Sequence, residues 1–240
     1  DSEHSAIHQC LRGENRQNIK RIILTASGGP FFDTPESELV RVTPEQALDH
    51  PRWAMGKKVS LDSATMMNKG LEVLEAGHLF GIAISRIEVV IHPQSVIHSM
   101  VEMKDGSIMA QISEPDMRVP ISYALNYPGR GGHVFRPTSF TDLEPLTFFQ
   151  PDYRKFPALE LAYRAGRAGG TLPAVLNAAN EVAGLAFLNG EISFPAVMKY
   201  VGETMAAHRL RVEPDLKAIL AADRWARRQT GRLITEGARN

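Results

Sequence analysis

Leu61-Asp62-Ser63-Ala64-Thr65-Met66-Met67-Asn68-Lys69-Gly70-Leu71-Glu72 reads as the end of a loop running into the first turns of a long helix. Asp62 and Ser63 suit the N-cap, because their side-chain oxygens accept from backbone N–H groups that lack partners inside a helix. Asn68 and Glu72 stand four residues apart and share one helix face, with Lys69 beside them. An amide, a cation, a carboxylate and a hydroxyl thus converge where a helix begins. A helix N-terminus favours negative charge and a carboxylate favours a hard cation, so the stretch suits an anionic ligand together with a divalent metal. The plainer reading is an amphipathic helix whose polar face is solvated surface. Either way, the helix falls between two short apolar, strand-like runs at residues 21–26 and 86–91.

Upstream, residues 21–26 end at Ser27-Gly28-Gly29-Pro30-Phe31, a strand opening into a glycine-rich loop whose backbone N–H groups can approach an anion closely. The glycine spacing matches neither the P-loop nor the dinucleotide fingerprint, and a plain Gly-Gly-Pro turn is the more common explanation for such a sequence. Thr43-Pro44-Glu45-Gln46 is a helix start, with a capping box from Thr43 to Gln46 and proline at the first helical position. That helix ends near His50-Pro51. Arg52-Trp53-Ala54-Met55-Gly56 follows as a bracketed loop in which Trp53 serves either as a lid on a ligand or as a core anchor. At the start of the chain, Asp1-Ser2-Glu3-His4 leads into Ile7, Cys10 and Leu11 at helical spacing, which puts two carboxylates on one turn. Acidic residues favour first turns for the dipole alone, so the motif by itself is weak.

Downstream, residues 95–103 and 107–112 alternate as two strands joined at Lys104-Asp105-Gly106, a hairpin signal that predicts antiparallel pairing. Glu114-Pro115-Asp116-Met117-Arg118 breaks that pattern and opens a short helix ending near Tyr127-Pro128. His92 and His98 lack a partner at ligand spacing and read as hydrogen-bonded structural groups rather than metal ligands. Residues 128–152, interrupted by glycine and proline, read as a linker. Beyond them four helical patterns occupy residues 158–168, 172–188, 194–208 and 215–228, which implies a small bundle. Asn177, Asn180 and Glu181 form a polar patch in the second of these helices, with interior hydrogen bonds the plainest account. The expected fold is an α/β (α+β) domain with a mixed or antiparallel sheet over residues 1–126, a linker over 127–152, and an α-helical bundle over 153–240.

Lys plus Arg equals Asp plus Glu, so no basic excess points to nucleic acid and no broad field to a membrane surface. The single cysteine, Cys10, excludes an internal disulfide and cysteine-built zinc sites, and fits a reducing, cytoplasmic setting.

Asp1-Ser2-Glu3-His4, Ser27-Gly28-Gly29-Pro30-Phe31, His50-Pro51-Arg52-Trp53-Ala54-Met55-Gly56, Asp62 through Glu72, His92-Pro93-Gln94-Ser95-Val96-Ile97-His98-Ser99 and Glu114-Pro115-Asp116-Met117-Arg118 resemble, in order, the catalytic segments of the 1-deoxy-D-xylulose 5-phosphate reductoisomerase family. Leu176-Asn177-Ala178-Ala179-Asn180-Glu181 is similar to that family's C-terminal helical domain. The resemblance implies conversion of 1-deoxy-D-xylulose 5-phosphate to 2-C-methyl-D-erythritol 4-phosphate, a step of non-mevalonate isoprenoid synthesis that uses NADPH and Mg or Mn. It implies Asp1, Glu3 and Glu72 as metal ligands, and Ser27, Ser63, Asn68 and Lys69 as the phosphate site with His50 at its edge. It further implies Ser2 and Ser95 on the substrate backbone, Trp53 and Met55 in a flap, His98 near the reacting centre, and Met117 near the nicotinamide end of the cofactor.

The family carries an NADPH-binding domain ahead of its metal motif, and here that motif is the first residue. The chain is therefore expected to correspond to the catalytic and C-terminal parts, to bind metal and a phosphate-bearing sugar, and not to complete the reduction alone. The family's sheet-to-sheet pairing implies a homodimer. The rival reading is a non-catalytic metal- and phosphate-binding dimerisation module, and a lesser one is an isomerase that dispenses with NADPH.

Overall fold

A computed structural model of the protein describes residues 1–50, 55–132 and 138–237. In it the apolar run before the glycine loop becomes the strand β1 (Ile19–Ala26), an inner strand whose Ile19, Ile22 and Leu24 are fully buried. Such continuous apolar sequence is what a strand covered on both faces requires. β1 runs parallel to β2 (Ile87–Ile91), with Ile22 opposite Ile87 and Leu24 opposite Val89. On its other side it is antiparallel to β3 (Ile97–Met103), with Ile22 opposite Val101. β3 continues through a hairpin into β4 (Ile108–Ile112), giving the order β2-β1-β3-β4 and a mixed sheet. The hairpin forms where Asp-Gly stands: Gly106 takes φ +89°, and Asp105 accepts from the Ser107 amide at 2.9 Å.

Helix α1 (Ser2–Cys10) lies on β3 and β4 and buries Ala6, Ile7 and Cys10 there. α5 (Arg118–Asn126) packs on α1, and His8 Nδ1 and Tyr123 Oη meet at 2.8 Å between them. The stretch read as a linker does not stay clear of this sheet. Phe149 bridges to Ile91 of β2 by a pair of 2.9 Å backbone bonds, and Phe148 stacks on the ring of His92 at 4.7 Å.

Two compact units arise: residues 1–28 with 75–151, which hold the sheet, and residues 29–74 with 152–240, which are helical. The sequence reading drew consecutive stretches, whereas packing groups residues 29–74 with the C-terminal helices.

The helical unit is organised by α7 (Leu172–Leu188), whose Val175, Leu176, Ala179, Ala183 and Phe187 are all but inaccessible. A helix apolar on nearly every side is stable only when surrounded, and α7 is enclosed by α6 (Ala158–Ala168), α8 (Phe194–Ala207), α9 (Leu216–Gly237) and α3 (Lys57–Ala64). Each large buried side chain contributes about 1.5–3 kcal/mol. The bundle forms where the apolar spacing placed it, with one correction. The last helix runs on to Gly237 rather than ending near residue 228, because Ala222, Ala226, Thr230 and Ile234 continue its buried stripe at four-residue intervals.

A second correction concerns the opening stretch. Asp62 and Ser63 do not cap a helix; they lie in the last turn of α3, and the break comes at Thr65 and Met66, after which α4 (Met67–Phe80) begins. Met66 takes φ +64°, and Thr65 Oγ1 accepts from the Met67 amide at 3.3 Å, the capping task expected of Asp62 or Ser63. The Asp62 side chain is turned inward instead, 3% exposed, where Asn180 of α7 and Lys58, one turn earlier on α3, donate to it. The capping box of α2 (Pro44–Leu48) is present as read: Thr43 Oγ1 accepts from the Gln46 amide and the Gln46 side chain from the Thr43 amide.

Candidate functional site

In the helical unit, α4 presents Asn68, Lys69 and Glu72 on one face of its first two turns. Lys69 is 5% and Glu72 3% exposed. Lys69 Nζ donates to Glu72 Oε2 at 2.5 Å, and Asn68 Nδ2 donates to Oε1 at 2.6 Å. The carboxylate therefore carries one donor on each oxygen, which is what holds a charge in a buried place. A carboxylate is the ligand type a hard divalent ion takes. Glu72 thus fits a hard divalent ion, and Asn68 and Lys69 are donors of the kind a phosphate attracts.

Ser63, half-buried at the end of α3, stands beside the glycine loop. Gly29 has φ +70°, and a Cβ there would lie 2.7 Å from the Ser63 carbonyl oxygen, so only glycine allows this approach. His50, two residues past α2, has its imidazole pKa lowered by burial. Met55 is half-buried; Trp53 lies outside the described residues.

In the sheet unit, Asp1 caps α1: its Oδ1 accepts from the His4 amide at 2.7 Å, and its Oδ2 lies 2.9 Å from His4 Nδ1. Ser2 Oγ donates to Glu3 Oε2 at 2.9 Å, tying an expected substrate contact to an expected metal ligand. His4 also reaches to 3.6 Å from Glu75 and so orients Asp1 from behind, a role that its place in the motif left unread. Cys10 on the same helix has its thiol pKa pushed up to about 11 by burial, which makes it an inert apolar side chain.

Ser27 follows β1, and Ser95 occupies the turn between β2 and β3 with φ +55°, a conformation rare for serine. Such an outlier persists only when its surroundings dictate it, and here His92 does so. Its Nε2 accepts from the Val96 and Ile97 amides, each at 3.2 Å, while its Nδ1 meets the Thr147 carbonyl at 3.0 Å. That network assigns the neutral imidazole with the proton on Nδ1, and burial lowers its pKa.

His98, buried on β3, donates from Nε2 to the Ser113 carbonyl at 3.1 Å. Met117, just before α5, is 40% exposed. Between them sequence reasoning missed Ser113, whose buried hydroxyl finds no hydrogen-bond partner among the described residues. An unpaired buried hydroxyl costs about 1–3 kcal/mol. No sequence signal would have singled out this serine.

Two family models fit this arrangement of sheet and helices. One, described as the 1-deoxy-D-xylulose 5-phosphate reductoisomerase C-terminal domain, matches residues 1–80, and the other, the DXP reductoisomerase C-terminal domain, matches residues 112–229. The chain belongs to the 1-deoxy-D-xylulose 5-phosphate reductoisomerase family. Enzymes of that name from Desulforamulus reducens and Heliobacterium modesticaldum are each 56% identical to it, over 98% and 99% of this chain and 60% of their own length. The structure of the Zymomonas mobilis enzyme in complex with NADPH is 49% identical, with a TM-score of 0.90 over 98% of this chain and 60% of that one. A reductoisomerase solved with NADPH, fosmidomycin and magnesium is 39% identical, with a TM-score of 0.89 over 98% of this chain and 62% of that one. The chain thus spans about three fifths of the relatives it matches.

Proposed function

We propose that these residues form the metal- and phosphate-binding part of an enzyme that converts 1-deoxy-D-xylulose 5-phosphate to 2-C-methyl-D-erythritol 4-phosphate. The observation that supports this most is the buried Asn68–Lys69–Glu72 group on α4. It gathers phosphate donors and a metal-competent carboxylate within one and a half turns, more than a polar surface needs.

In this reading Asp1, Glu3 and Glu72 hold Mg or Mn, an all-oxygen set suited to a hard ion. When bound, the ion supplies Lewis acidity toward neighbouring oxygens of the sugar. Ser27, Ser63, Asn68 and Lys69 hold the phosphate, with His50 at its edge. Ser2 and Ser95 hold the carbon-chain oxygens, the left-handed turn at Ser95 fixing its hydroxyl in advance of binding. Trp53 and Met55 close over the ligand and exclude water, while His98 stands by the reacting carbons. Met117 lies by the nicotinamide end of NADPH. The 240 residues contain no dinucleotide glycine fingerprint. The chain by itself is proposed not to turn over NADPH.

Calorimetric titration of Mn with and without fosmidomycin, the ligand of a related structure, tests the site. Each ligand is expected to tighten the other, and Glu72→Gln to weaken Mn by at least about tenfold. Binding of the phosphonate that is independent of metal overturns the shared site, and NADPH oxidation by this chain overturns the proposal that it does not turn over NADPH. No helix among the described residues is long and apolar enough to cross a membrane, and a cytoplasmic setting belongs to the same proposal.

A further inference from the structure

Asn180 belongs to the polar patch of α7 that the proposed chemistry does not use. It is 2% exposed, and its Nδ2 donates to Asp62 Oδ1 at 2.7 Å across 118 residues of chain. Asp62 is 3% exposed, and its other oxygen accepts from Lys58 Nζ at 2.7 Å. We propose that Asn180 is a positioning residue for the phosphate end of the site: by gripping Asp62 it fixes the rotation of α3 and so the direction of the Ser63 hydroxyl. The inference rests on the phosphate reading given above.

α3 cannot hold that orientation unaided. It has eight residues and no side-chain N-cap, well below the length at which a helix is stable in isolation. Residues one apart on a helix point about 100° away from each other, so pinning Asp62 inward leaves Ser63 one defined direction on the adjoining face. α7 lies close enough to act: a Cβ at Gly184, one turn beyond Asn180, would be 3.1 Å from Leu61 Cδ2. The Ser63 backbone is also met by Gly29, where a Cβ would be 2.7 Å from its carbonyl oxygen. The end of α3 thus touches both α7 and the glycine loop, and Asn180 supplies a directional bond from α7. An apolar pair in the same space would stabilise the packing as well or better but would leave rotation undetermined. A buried amide-to-carboxylate bond permits one geometry.

The test titrates inorganic phosphate into the folded chain by calorimetry and follows the Ser63 amide by NMR, with thermal unfolding measured in parallel. Asn180→Leu is expected to weaken phosphate by about tenfold and to shift the Ser63 amide in the unliganded protein. Exchanging the partners, Asn180→Asp with Asp62→Asn, rebuilds the bond in reverse and is expected to return affinity to within about threefold of the parent. A purely structural role lowers the unfolding temperature of Asn180→Leu but leaves phosphate affinity of the folded protein at the parent value, and that result overturns the proposal. If Asn180→Leu does not fold, the milder Asn180→Ser takes its place: phosphate affinity weakened in its folded form supports the proposal, and parental affinity overturns it. A parent chain that binds no phosphate overturns the phosphate reading and this inference with it, and is recognised before any variant is compared.

Discussion

His92 is wholly buried, and its ring accepts two backbone amides on one nitrogen while the other meets a carbonyl. Protonating Nε2 would abolish both accepted bonds, and burial lowers the pKa in the same sense. A histidine whose folded pKa lies below its unfolded value stabilises the fold fully above the unfolded value, and that contribution is lost as pH falls through the folded one. Urea midpoints are therefore expected to fall between about pH 7.5 and about pH 5. His92→Asn is expected to be less stable at the upper pH and flatter across the range, the difference from the parent separating His92 from His50 and His208, which burial shifts the same way. The Lys69–Glu72 pair makes a second prediction. Lys69→Met takes the Lys69 cation away from a buried carboxylate and is expected to cost about 3–5 kcal/mol. Adding Glu72→Leu is expected to recover most of it, since the uncompensated charge is then gone, and a double-mutant cycle from urea unfolding measures this.

Elements depend on a few close approaches. Gly29→Ala places a Cβ against the Ser63 carbonyl at positive φ, and a loss of about 1–3 kcal/mol is expected together with weaker phosphate binding. Thr43→Ala removes one half of a solvent-facing capping box and is expected to cost about 1 kcal/mol without touching ligand binding. Comparing the two by urea unfolding and phosphate titration separates a helix end that only stabilises from a contact that also shapes the site.

At the scale of the whole molecule, the two edges of the sheet differ. β2 is partly covered by the backbone bridge from Phe149, whereas β4 pairs, among the described residues, with β3 alone and shows Ile108 and Met109 to solvent at 52% and 44% exposure. An uncovered apolar edge strand is a template for pairing with another chain. Homodimerisation, expected from the family resemblance, is accordingly proposed to run through β4. Met109→Lys is expected to convert the protein to monomer in sedimentation velocity, with its circular dichroism unchanged.

Much of the fold was legible because its signals are local. Apolar runs with Asp-Gly between them give a hairpin whatever packs on it, and Thr43 with Gln46 gives a helix start. Three- and four-residue apolar spacing gave the C-terminal helices, and the six motif segments gave the family. The neighbouring of Asn68 and Glu72, on which the proposed site draws, was legible because residues four apart share a helix face. Only the tertiary structure decided which side chain does which task. Asp62 has the chemistry of a cap, but a buried amide 118 residues away competes for its carboxylate, so Thr65 caps and α3 begins earlier. Likewise the strain at Ser95, the orphaned hydroxyl of Ser113 and the packing of residues 29–74 with the last helices depend on partners far away in sequence, to which local propensity is blind.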